Sequence, residues 1–151
     1  MSTTIIVPQG FQYVAASLLS TVVVLVGQNI TVSRWRKRSG IKYPQLYAEK
    51  AETAASKDAL VFNCAQRAHQ NTLENIPIIY LTTLLAAVKF PIVAASACGL
   101  WSLSRIAYTR GYLTGVPAKR VGIFHVAGSV AMLGLLLTSF YTVGDLVVSN
   151  L

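Results

Sequence analysis

Residues 11–32, FQYVAASLLSTVVVLVGQNITV, run from Phe11 to Val32 without one charged side chain. A helix of that length rises about 33 Å at roughly 1.5 Å per residue, enough to cross the hydrocarbon core of a bilayer. No basic region precedes the stretch, and no small-residue cleavage pattern followed by a soluble domain ends it. It therefore reads as a retained first span and not as a removed signal peptide.

The rest of the chain fits the same solvent. Of its 151 residues 54% are apolar and only 12% charged, about half the roughly 25% charged fraction of an average soluble domain. A mean hydropathy of +0.54 excludes a disordered chain, which needs low hydrophobicity and high charge density. Three further apolar stretches, at about residues 59–88, 91–112 and 120–148, complete an all-α integral membrane four-helix bundle in a single domain. Pro91 suits the first turn of a helix, and Pro117 a connection.

The net charge is +8, and its distribution decides the class of partner. Seven of the thirteen cations lie between Arg34 and Lys57, and no charge falls between Val121 and Gly144. A nucleic-acid-binding domain does not segregate charge in this way. The first connection carries Arg34, Arg36, Lys37, Arg38, Lys42, Lys50 and Lys57, the third Arg110, Lys119 and Arg120, and the second only Lys89. The positive-inside rule then places connections one and three in the cytoplasm. The cluster Arg34-Trp35-Arg36-Lys37-Arg38 suits acidic lipid headgroups, at about 1 kcal/mol per cation. Cys64 and Cys98 sit in apolar surroundings and form no disulfide framework, and His69 and His125 have no carboxylate cluster around them, so no metal site is expected.

Ionisable residues within a span are costly and face a bundle interior, a partner or a hydrated cavity. Arg67, Asn71 and Glu74 stand at i, i+4 and i+7, which puts them on one helix face. Arg105, Tyr108 and Tyr112, at offsets 0, 3 and 7, make a second polar stripe at a similar depth in the third span. An ion pair between Arg67 and Glu74 alone does not require Asn71, His69 and Asn75 beside it, so the second span reads as a ligand site.

The segment from Phe62 to Glu74, FNCAQRAHQNTLE, resembles the signature of the MAPEG family, membrane-associated proteins of eicosanoid and glutathione metabolism. Its RAHQNTLE wording is most similar to the family's microsomal glutathione transferases of the third type. Tyr43-Pro44 and Tyr47 in the first connection, and Tyr108, Gly111-Tyr112 and Lys119-Arg120 around the third, extend the resemblance over nearly the whole chain. It implies a homotrimer in the endoplasmic reticulum that binds glutathione between neighbouring subunits, within reach of the cytoplasm. Arg67, Asn71, Glu74, Tyr108 and Tyr112 would hold glutathione from one subunit. His69 and either Arg34 or Arg36 would reach it from the next. Arg120 would activate the thiol, with Lys119 as the competing assignment.

The chemistry is coherent on its own terms. Glutathione carries two carboxylates, an ammonium and a thiol. Arginines pair with carboxylates bidentately, Glu74 accepts the ammonium, and Asn71 and the tyrosines supply neutral hydrogen bonds. A guanidinium near the sulfur favours thiolate, the nucleophilic form. The thiolate then attacks a lipophilic electrophile held in the membrane lipid, or reduces a lipid hydroperoxide, and neither reaction needs a metal. The contrasting expectation is a non-catalytic lipid-binding scaffold of the same fold, which would dispense with the glutathione ligands.

Overall fold

The structure, a computed structural model, describes residues 8–149 and is all-helical among them. Its helices are α1 (Phe11–Ser39), α2 (Lys50–Ala55), α3 (Lys57–Ala87), α4 (Pro91–Tyr112) and α5 (Ile123–Val148), with a 3-10 turn over Pro117–Arg120. Helix α1 outruns its apolar stretch by seven residues because Arg34 to Arg38 are good helix formers whose cations suit a C-terminal turn. Gly40, at φ 72°, ends it in the left-handed conformation that glycine adopts without penalty. Helix α2 opens with a capping box in which Glu49 and Glu52 bond each other's backbone. Ser56 caps α3 by accepting from the Ala59 N–H at 3.3 Å.

Helices α3 and α4 form the middle of the molecule, with α1 packed on both from one side and α5 on both from the other. Among the described residues, α1 and α5 are the helices long and apolar enough to cross a membrane by composition. The most apolar stretches thus lie in the two flanking helices, and all four long helices bury polar side chains, among them Thr21 and Gln28 of α1, Thr72 of α3, Arg105 of α4 and Ser139 of α5. Helix α5 leaves Ile123, Phe124, Val130 and Phe140 exposed, and α1 leaves Leu19, Val23 and Val26. Apolar outer faces of this kind fit an integral membrane protein.

Between helices in lipid the drive is close packing more than water exclusion, so interfaces favour small side chains. Ala86, Ala87, Ala94, Ala95 and Cys98 fill one core cluster with Ile79, Trp101 and Leu135. At Gly128 an added Cβ would collide with the Ser104 side chain, which shows how near α4 and α5 approach. Ser139 of α5 lies 2.7 Å from the Thr82 carbonyl of α3, and Lys89 pairs with Asp145 across the far ends of α3 and α5.

Candidate functional site

The upper halves of α3 and α4 hold a connected polar cluster. Gln28 of α1 donates to Thr72 Oγ1 at 2.9 Å and to Thr109 Oγ1 at 2.8 Å, tying three helices together. Thr72 also accepts from Arg105 Nε at 3.1 Å, and Arg105 Nη2 donates to Asn71 Oδ1. The Arg105 guanidinium lies 4.0 Å from the centroid of Tyr108. Tyr108 meets Tyr112 edge-on at 5.1 Å and stacks on His125 at 5.2 Å. The two polar stripes read from the sequence are therefore joined, with Asn71 and Arg105 as the link.

Arg67 and Glu74 form an ion pair at 2.8 Å, with side chains 45% and 55% exposed. Tyr47, from the connection before α2, donates to Gln70 and stands within electrostatic reach of Arg67 and Glu74. Burial pushes the Tyr47 phenol above its ordinary value, against the pull of the Arg67 guanidinium, so it stays a hydrogen-bond donor at neutral pH. Tyr112 lies within reach of the charges of both Arg67 and Arg120. Arg120 donates to the Pro117 carbonyl at 2.8 Å and holds its guanidinium 5.4 Å from the Tyr112 ring centroid.

A glycine makes this approach possible. A Cβ on Gly111 would press on the Lys119 carbonyl and stand 2.8 Å from the Arg120 Cα. The 3-10 turn therefore lies directly on the last turn of α4, with Arg120 half-buried toward Tyr112 and Lys119 exposed. Arg67, Asn71, Glu74, Tyr108, Tyr112 and Arg120 gather at one end of the molecule.

Three residues named from the sequence lie elsewhere. Arg34 is exposed and has no hydrogen bond or ion pair among the described residues. Arg36 is only 7% exposed. It donates to the Gln45 carbonyl at 2.7 Å and sits between the rings of Tyr43 and Phe62, so it is engaged within this chain. His69 turns away from the Arg67 stripe, and its Nδ1 is buried without a partner. Arg105, Gln28, Thr72 and His125 belong to the cluster although only the spacing of Arg105 marked it in the sequence. Among the described residues no group of histidine, cysteine and acid is placed to hold a metal.

A model of the MAPEG family matches residues 14–141, most of the chain and all of this cluster, and the protein belongs to that family.

Proposed function

We propose that this protein is a membrane-bound glutathione transferase with glutathione-dependent peroxidase activity, most similar within its family to the type-three microsomal enzymes. Family membership supports a role in glutathione or eicosanoid metabolism. The observation that carries the finer reading is that Arg120, 5.4 Å from the Tyr112 ring, lies at the same end of the molecule as the half-exposed Arg67–Glu74 pair. Two cations there face a carboxylate, an amide and two phenols, the complement of an anionic thiol peptide.

Arg67 takes a glutathione carboxylate and Glu74 the ammonium, so the ligand replaces the ion pair these two residues make with each other. Asn71 and the phenols of Tyr108 and Tyr112 orient the peptide. Arg120 stabilises the thiolate by charge alone and moves no proton. Glutathione in water is only about a few per cent thiolate at neutral pH, so this gain falls directly on the reacting fraction. In transfer, the sulfur forms a bond to an electrophilic carbon of a lipophilic substrate while the bond from that carbon to its leaving group breaks and the group departs with the electron pair; at an epoxide or activated alkene the C–O or π bond opens instead and the anion released takes a proton from water. In reduction, two glutathione thiols yield one disulfide and two electrons, and the hydroperoxide becomes an alcohol and water.

All four long helices cross the membrane in this reading, with the first and third connections in the cytoplasm of an endoplasmic-reticulum protein. The chain works as a homotrimer. Arg34 and His69 lie off the cluster of their own subunit, which leaves them free to complete a neighbour's site. Arg36 is engaged, so Arg34 is the first-helix cation in that role.

The test is ultraviolet absorbance of thiolate on adding glutathione to detergent-solubilised protein at neutral pH. The native chain and Lys119→Ala are expected to give the signal. Arg120→Ala loses it while glutathione affinity falls by less than about tenfold, because binding rests on other residues. Binding without thiolate in the native chain overturns the Arg120 mechanism, and failure to bind glutathione makes the lipid-binding scaffold the leading account.

A further inference from the structure

The basic run at the end of α1 does not act as one patch. Arg36 is buried between the rings of Tyr43 and Phe62, and Arg38 pairs with Asp58 at 3.4 Å and lies over the Trp35 ring. Lys37 has neither tie. Gly40, at φ 72°, turns the chain back in the left-handed conformation, and Ile41 anchors the return by packing in one core cluster with Val32 and Phe62. Lys42 and Tyr43 thereby line a single cavity of about 410 Å³ together with Ser33, Arg36 and Lys37.

The polar groups around this cavity are unengaged. Ser33, Lys37 and Lys42 are exposed and make no side-chain hydrogen bond or ion pair among the described residues. The Tyr43 ring is fixed by the Arg36 guanidinium, 4.2 Å from its centroid, and its hydroxyl has no partner either. Arg36 gives Nη1 to the Gln45 carbonyl, but its Nε is buried without an acceptor. None of the five acids lines the cavity. The terminal carbonyls of α1 bring about half a negative charge, against three cations, so the cavity stays positive.

Helix α1 sets its depth. The apolar stretch ends at Val32, and Ser33 to Ser39 continue for about 10 Å, through the headgroup layer of a bilayer. Val26, Ile30, Ser33 and Lys37 succeed one another at helical spacings of four, three and four, so they share one face. Val26 and Ile30 are exposed on it, an apolar track leading up to the cavity.

We propose that this cavity binds a lipid headgroup carrying a phosphate monoester. Lys37 and Lys42 donate to the phosphate oxygens, with the hydroxyls of Ser33 and Tyr43 beside them. A monoester carries a charge of about −1.5 to −2, which matches two exposed ammonium groups over a buried guanidinium better than the single charge of a phosphodiester does. The volume equals about a dozen water-sized groups, room for a phosphate together with a polyol ring. The acyl chains follow Ile30 and Val26 into the bilayer. Arg67 and Arg120 take no part, so the site does not rest on glutathione binding.

The full-length protein in detergent is titrated into dye-labelled dioctanoyl phosphatidylinositol 4-phosphate while fluorescence anisotropy is followed, and unlabelled lipids of the same chain length compete. Saturable binding is expected. Phosphatidylinositol and phosphatidylserine, which lack a phosphate monoester, compete about tenfold more weakly. Lys37→Gln with Lys42→Gln changes exposed side chains alone, melts as the native chain does, and weakens binding by about thirtyfold, the effect of two surface cations. Lys50→Gln with Lys57→Gln removes the same charge from the same connection outside the cavity and leaves affinity within about twofold. Absence of saturable binding, phosphatidylserine competing equally, or equal losses in the two double variants overturns the proposal. The soluble inositol phosphate headgroup competes more weakly than the lipid, and equal competition overturns the lipid as its source. Saturating glutathione leaves the affinity unchanged. Displacement by glutathione would assign the cavity to the peptide and overturn a separate site, whether or not the thiolate experiment succeeds.

Discussion

The Arg120 guanidinium carbon lies 5.4 Å from the centroid of the Tyr112 ring, and the α4 residue against which that turn rests is Gly111, where a Cβ would press on the backbone of Lys119 and Arg120. Both obstacles are main-chain atoms, so no rotamer change relieves the clash. Gly111→Ala is therefore expected to lift the 3-10 turn off α4. Overpacking of this kind costs about 1–3 kcal/mol, read as a lower thermal midpoint in detergent. Turnover should fall further than glutathione affinity, because the displaced group is the one we propose as thiol activator. An unchanged kcat in Gly111→Ala would remove Arg120 from that role.

Arg34 and Arg36 are two residues apart on α1, and the structure gives them opposite fates. Arg36→Ala strips the Gln45 carbonyl of its donor and leaves the faces of Tyr43 and Phe62 uncovered. A loss of about 2–3 kcal/mol is expected from a buried charged hydrogen bond together with its ring contacts. Arg34→Ala, at an exposed position, leaves the thermal midpoint where it was and raises the KM for glutathione. The paired melting and kinetic measurements separate the two, and a KM effect confined to Arg36→Ala reverses the assignment.

Much of this arrangement can be read from the chain, and the remainder depends on packing. The bounds of α4, Pro91 to Tyr112, coincide with the third apolar stretch because proline marks its start. Helix α1 continues to Ser39 because loss of hydropathy is not loss of helix propensity, and Arg34 to Arg38 keep the latter. Helix α2 escapes a search for serine, threonine, asparagine or aspartate caps because Glu49 serves as its cap. The 0, 3, 7 spacing of Arg105, Tyr108 and Tyr112 is legible as a stripe. That Arg105 turns to Asn71 is set by how α3 meets α4, which no spacing within either helix specifies. Gln28, Thr72 and Thr109 look in the sequence like polar residues scattered through apolar runs, and only their meeting makes them a network.

Helices α4 and α5 approach most closely where Ser104 faces Gly128. Gly128→Ala drives a methyl group into the Ser104 side chain and is expected to cost about 1–3 kcal/mol by overpacking. Ser104→Gly in the same chain makes room again and recovers part of that loss. The interaction energy of the double-mutant cycle should be favourable, since the two positions touch. Strict additivity of the two melting shifts would mean that the helices do not meet there.

Arg67 and Glu74 are joined at 2.8 Å while each remains about half exposed, and this pair divides a structural role from a binding role. An exposed ion pair on a helix contributes about 0.2–1 kcal/mol, so as structure it is nearly dispensable. Exchanging the two charges, with Arg67→Glu and Glu74→Arg together, keeps an opposite-charge pair on the same face and should leave the thermal midpoint within about 1 kcal/mol of the native chain's. Glutathione, however, presents its carboxylates and ammonium in a fixed order. The exchanged site meets carboxylate with carboxylate and ammonium with guanidinium, and like charges brought together cost several kcal/mol in a recognition site. Calorimetric titration is then expected to show glutathione binding lost by a hundredfold or more, about 3 kcal/mol, in a protein that still melts like the native one. If the exchanged protein binds glutathione normally, the pair is a surface feature of α3 and the peptide sits elsewhere. If it neither binds nor folds, Arg67→Gln with Glu74→Gln makes the same distinction without reversed charge.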